Sequence, residues 1–255
     1  MSLHIPTPWP RPRYAPNGPA RLGFLVLLPE PIQLARTNHP LFEGFSYELR
    51  FRGDDIAWFD GWTDPKGLPG SLLLRTPGVD IAAISACPVA ALLTGVFENP
   101  RDLGHIQRAF VILRNLAKEG AAAALDLQAL LWWPRKDLEA IEDDWGFEIG
   151  DHLRIVFEPH ERQPGAGHLC HTLGMAKFGQ PDLALGGLAP EHADAASEML
   201  ENLATAMAEG EVFSAGDVIE PDGFPPLACE LVDDDSGTED EIFGNRSLWL
   251  VPEEA

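Results

Sequence analysis

Cysteine is scarce in this chain of 255 residues: Cys87, Cys170 and Cys229 are scattered, odd in number and form no CxxC pair. That excludes a disulfide framework and points to reduced thiols in a cytosol. Basic residues are few as well. Lys and Arg number 18 against 40 Asp and Glu, for a net charge of −22. A field of that sign repels phosphate backbones and anionic membrane surfaces, so neither nucleic acid nor membrane is an expected partner. It favours a basic protein instead. No run of about 18 apolar residues exists to span a bilayer. The opening MSLHIPTPWPRPRY lacks the apolar core of a secretory signal. These readings together place the protein in the cytoplasm.

Catalytic signatures are missing in the same way. No GxSxG gives Ser85 or Ser197 a triad context. No GxxxxGK[ST] forms a phosphate loop. Gly165-Ala166-Gly167 lacks the third glycine of a dinucleotide fingerprint, and no helix opens there. No cofactor is expected on these grounds, and the balance leans away from an enzyme.

What is present is an ordinary globular composition, with 45% hydrophobic and 23% charged residues. Residues 1–20 are proline-rich and read as an extended arm carrying Arg11 and Arg13, either a ligand for an aromatic groove or a strap folded back on the acidic body. Residues 21–255 read as a single domain, and the seam between any two lobes falls at 145–150. LGFLVLL (22–28) has the continuous apolar character of a buried strand. FSYELRFR (45–52) alternates as a half-exposed strand does, and a turn at Gly53–Asp55 makes IAWFDGW (56–62) its hairpin partner. SLLLRT (71–76) and VDIAAISA (79–86) read as two further strands around Pro77-Gly78.

Helices are expected in three places. Asp102 caps one whose face is Ile106, Phe110, Leu113 and Leu116, ended by Gly120. A short one starts at Pro134. A long one runs over 190–209 with a stripe of Ala196, Leu200, Leu203 and Met207. Strands are expected through Leu127, over 152–159, 167–175 and 247–252. Trp132 and Trp133, with Trp58, Trp62 and Trp145, read as packing rather than as a pocket lining. Strands outnumber helices without alternating with them. The expected class is α+β, a mixed, mainly antiparallel sheet with two main amphipathic helices on it.

Two residue sets carry candidate chemistry. His152, His160, His168 and Cys170 fall in one window, and N and S ligands of that kind suit zinc. In a strand His168 and Cys170 share a face while His171 points the other way, which also disfavours a Cys170–His171 nucleophile pair. A zinc-dependent hydrolase is the alternative reading of the chain. The other set is the acidic run Asp233, Asp234, Asp235, Glu239, Asp240 and Glu241. It fails as a calcium loop: with Gly237 at position 6, Val232 stands at position 1 and Phe243 at position 12. It reads as a solvated loop able to dock a basic partner.

HTLGMAKFGQPDLAL (171–185), leading into the 190–209 helix, resembles uncharacterised bacterial proteins with a domain of unknown function. In these a Gly-Met-x-Lys-Phe-Gly-x-Pro-acid-Leu pattern precedes an amphipathic helix. GAAAALDLQALLWWP (120–134) resembles them too. Such families occur near secretion-system and toxin–immunity loci. The resemblance covers about residues 100–215. It implies a cytoplasmic bacterial α+β protein, a non-enzymatic binding or immunity-type module, and carries no functional residues with it. Physically the motif reads as a corner: Gly174 and Gly179 permit positive φ, Met175 and Phe178 anchor the core, and Lys177 points outside. A structural or phage-related component is not separable from a binding module at this level.

Overall fold

A computed structural model describes residues 6–32, 39–142, 144–160, 167–232 and 245–252. The chain is α+β, and its strands form two sheets rather than one. It divides into two compact units. The first comprises residues 1–9, 21–97 and 102–147, and the second residues 10–20, 98–101 and 148–255.

The first unit holds a five-stranded sheet. Its strands are β1 (Ala20–Leu28), β2 (Phe45–Phe51), β3 (Val89–Phe97), β4 (Ala123–Asp126) and β5 (Leu131–Pro134), in spatial order β2-β3-β1-β4-β5. β1 is buried along nearly its whole length, as its unbroken apolar run requires. β4 and β5 form a hairpin. Asp126 Oδ1 accepts from the backbone N–H groups of Gln128 and Ala129, and this closes the turn.

Three short helices lie between β2 and β3: α1 (Ile56–Thr63), α2 (Leu68–Arg75) and α3 (Ile81–Ala86). These are the segments whose apolar runs suggest strands. Their caps decide otherwise. Asp55 accepts from Trp58 N–H at 3.0 Å and Asp80 from Ala83 N–H at 3.0 Å, so each aspartate starts a helical turn. Pro69 sits in the first turn of α2, where its missing N–H is harmless. β2 therefore pairs with β3, 38 residues on from Phe51 at Val89, not with the segment at 56–62.

α4 (Gly104–Lys118) buries Ile106, Phe110, Leu113 and Leu116 as its periodicity predicts. Asp102 accepts from Gly104 N–H at its start, and Gly120, at φ +111°, ends it. α5 (Arg135–Ala140) follows β5 directly. Trp133 meets Phe110 edge-on at 4.9 Å, and Trp145 packs on both Trp9 and Phe110 at 5.1 Å, so these tryptophans pack together, Trp9 buried and Trp133 and Trp145 half-buried.

The second unit holds a six-stranded sheet of β6 (Arg154–Pro159), β7 (His168–Leu173), β8 (Asp182–Leu188), β9 (Val218–Ile219), β10 (Leu227–Val232) and β11 (Ser247–Pro252). Their order is β6-β7-β8-β11-β10-β9, with β8–β11 the parallel pair. α6 (Ala193–Ala208) packs on β6, β7 and β8 through Ala196, Met199, Leu200, Ala204 and Met207, while Leu203 is only half-buried. Among the described residues no helix is long and apolar enough to cross a membrane.

Candidate functional site

The residues expected to hold zinc are separated by the second sheet. Cys170 faces α6, where its Sγ lies 3.8 Å from Ser197 Oγ. His168 shares that face and stacks on Phe157 at 4.9 Å, with the two rings 8° from parallel. His160 instead packs 6.1 Å from Trp249. Trp249 pairs with Ala184 and Ala184 with His171, which places them on the opposite face. His171 is there too, 3.5 Å from Glu158. His152 is fully buried beside Phe178. Among the described residues no three His, Cys, Asp or Glu side chains converge on a point that could hold a metal ion. All three thiols are buried, and burial raises their pKa; Cys87 reaches about 11. A protonated thiol is a poor nucleophile. The acidic run at 233–241 lies outside the described residues.

The GMAKFGQPD motif folds as a corner, with one reversal. Gly174 at φ +122° and Gly179 at φ +69° turn the chain, and Met175 and Phe178 are buried as expected. Lys177 is not outside: it is fully buried. It lies within the turn Met175–Phe178, all four residues of which are buried. A Cβ at Gly179 would lie 2.4 Å from the Gly18 carbonyl oxygen.

Polar groups hold this corner. Asp182 accepts from Thr172 Oγ1 at 3.0 Å, from Met175 N–H at 3.2 Å and from Asn245 Nδ2 at 2.6 Å. Burial pushes its pKa up to about 6, against the pull of those three donors and of His171. Gln180 Nε2 donates to the Met207 and Glu211 carbonyls at the end of α6. Arg11, from the proline-rich stretch, is buried in the same place. Its guanidinium donates to the carbonyls of Ala208, Phe178 and Pro100 at 3.0, 3.2 and 3.0 Å. Every direction of that fork is used inside the unit, so it is a strap and not a ligand site.

The first unit presents the opposite situation. α1, α2 and α3 each send a single large side chain into the core: Phe59, Leu73 and Ile84. Ile56, Leu68, Leu74 and Ile81 remain 59%, 60%, 51% and 41% exposed. Asp54, Asp55, Asp60, Asp64 and Asp80 lie among them, against Arg52, Lys66 and Arg75. Arg52 is already engaged by Asp60 at 3.1 Å, and Arg50 lies over the Trp58 ring at 4.8 Å. Beside α3 opens a cleft of about 490 Å³, between Ala83 and Ala86 on one wall and Arg135, Lys136 and Glu139 on the other.

Neither feature shows in the residue windows that carry the histidines and the acidic run. The N-cap aspartates 55 and 80 are the signal that helices, with outward faces, stand where strands are expected. No family model, curated protein or solved structure matches the chain.

Proposed function

We propose that the protein is a binding module that holds a basic protein partner, in the manner of an immunity-type protein, on the α1–α3 surface of its first unit. The observation that carries this reading is the exposure of Ile56, Leu68, Leu74 and Ile81 on three consecutive helices set among aspartates. Single exposed apolar residues are ordinary; their recurrence on three consecutive helices of one insertion is what favours an interface there. A desolvated apolar contact supplies affinity, and the acidic setting supplies steering and partner choice. The net charge of −22 acts in the same direction. The partner that fits presents leucine-like and lysine-like side chains together, as a basic amphipathic helix does.

The test is a titration of the full chain with a synthetic peptide carrying leucine and lysine at helical spacing, beside a scrambled peptide of the same composition. The reading expects saturable binding of the ordered peptide that weakens with salt, and loss of that binding in a Leu68→Lys/Leu74→Lys variant. Equal binding of the scrambled peptide, or binding untouched by the two substitutions, would overturn it.

A further inference from the structure

The cleft beside α3 stands at one end of the first sheet, and four neighbouring strands meet there. Pro29 follows β1, Cys87 leads into β3, Gly120 and Ala122 precede β4, and Arg135 follows β5; all line the cleft. Ala122 N–H donates to the Leu27 carbonyl at 2.8 Å, which ties two of these strand ends together. A site framed by strand ends is held by the sheet and not by loose loops.

Part of its lining is small and apolar: Pro29, Ala122, Ala83 and Ala86. The Cys87 thiol donates to the Ala83 carbonyl at 3.3 Å and stays protonated, so it adds no charge. The opposite wall carries Arg135, Lys136 and Glu139, and the Asp80 carboxylate stands at the start of α3. Arg135 Nε binds Glu139 at 2.7 Å. Asp80 is turned onto Ala83 N–H as the cap of α3. Lys136 has only a loose contact, 3.9 Å, with Asp137. Its end lies against the turn at Gly78. A Cβ at Gly78 would fall 2.1 Å from Lys136 Cε, so any other residue there would drive the lysine out of this position.

We propose that this cleft binds a small amphipathic monoanion, its apolar body on the alanine and proline lining and its single carboxylate held by Lys136. A volume of about 490 Å³ suits a small organic molecule. With Arg135 paired to Glu139 and the Asp80 carboxylate a fixed negative charge in the same lining, Lys136 suits one anionic group, and a dicarboxylate or a phosphate is repelled. The net charge of the chain opposes any anion at long range. Salt screens that field over roughly 8 Å at physiological ionic strength, so the contact with Lys136 decides. The site adjoins the proposed partner surface, sharing Asp80 and α3 with it, and differs from it in taking an anion at Lys136.

The experiment is calorimetric titration of the full chain with naphthalene-2-carboxylate and with its neutral counterpart, naphthalene-2-carboxamide, at about 150 mM salt. The carboxylate is expected to bind about fivefold more tightly than the amide, the strength of one partly exposed ion pair. Lys136→Met keeps the stem and should make the two ligands equal. Ala86→Trp fills the cleft and should abolish both. Amide shifts in the wild-type spectrum should move at Ala83, Ala86, Gly120 and Ala122, which locates the site without relying on either variant. Equal affinity of the two ligands in the wild type, carboxylate binding that survives Ala86→Trp, shifts confined to other residues, or no binding up to about 10 mM would each overturn the proposal. None of these outcomes bears on the peptide titration, so the two readings fail independently.

Discussion

Residues 56–86 of the first unit and 174–182 of the second both depart from the usual rule of burial, in opposite senses. The first leaves Ile56, Leu68, Leu74 and Ile81 in water; the second takes Lys177, Gln180 and Asp182 out of it. The energetics of the two departures differ. An exposed leucine forgoes about 1.5–3 kcal/mol of burial but strands no polar group. A buried charge or amide is tolerated only when its hydrogen bonds are made. The second region shows that completeness: Asp182 has three donors, and Gln180 and Arg11 serve the carbonyls that end α6. A satisfied interior network fixes a structure. An unsatisfied apolar exterior waits for something to cover it. The second region is structural, and the first is where the proposed partner surface lies.

The largest effect is expected where the interior network is cut. Arg11→Met keeps much of the stem volume and removes the guanidinium. The carbonyls of Ala208, Phe178 and Pro100 then lose their donor, at a loss of about 3–4 kcal/mol in denaturant unfolding. Arg11→Lys should recover less than half of that, because one ammonium cannot serve three directions held in a planar fork. A loss below about 1 kcal/mol for Arg11→Met would mean that water satisfies those carbonyls equally well, and the strap would be incidental.

Asp182 gives the next effect and a sign that can be checked. Its folded value of about 6 lies above the ordinary 3.8, so the folded protein holds that proton more tightly than the unfolded chain does. The resulting stabilisation is fully present below about pH 4 and is lost as pH rises through about 6. Its full span is about 3 kcal/mol. The difference in unfolding free energy between wild type and Asp182→Asn, followed from pH 4 to pH 7, isolates this group from the other acids. The wild type should lose stability relative to the variant as pH rises. A flat difference would place Asp182 in an environment with no net preference for the proton.

Much of the fold was legible. β1, β2, α4, the β4–β5 turn, α5, β6, β7, α6 and β11 all stand where periodicity and punctuation put them, because each has either a clean period or a glycine or proline at its end. The three helices at 56–86 are not legible because their apolar runs are only six to eight residues long, where period alone does not separate helix from strand. The cap aspartates were the better guide. β3 was passed over, and with it the true partner of β2. The opposed orientations of His168 and His171 were legible from strand alternation. That His160 lies across the sheet from His168 was not, since it depends on which strand brings Trp249 to that face. The acidic run at 233–241 lies outside the described residues. The burial of Lys177 left no trace in the sequence, and for Arg11 the strap reading anticipates the fold-back but not the backbone carbonyls it meets. A lone basic residue reads as surface, and only the tertiary fold brings the carbonyls of Ala208, Phe178 and Pro100 around Arg11. The cleft is tertiary in the same sense, since its walls lie about 50 residues apart in the chain.

The smallest effect sharpens the comparison most. Leu73 and Leu74 are neighbours in α2; the first is 1% exposed and the second 51%. Leu73→Ala should lose about 2–3 kcal/mol, toward the lower end for a core leucine because a short surface helix can settle into the gap. Leu74→Ala should stay within about 0.5 kcal/mol of the wild type. On the proposed reading the same Leu74→Ala change should nonetheless weaken binding of the leucine–lysine peptide, because it removes one of the four exposed apolar contacts. If Leu74→Ala instead destabilised the chain as Leu73→Ala does, α2 would be packed on both sides, and the outward face on which recognition rests would not exist.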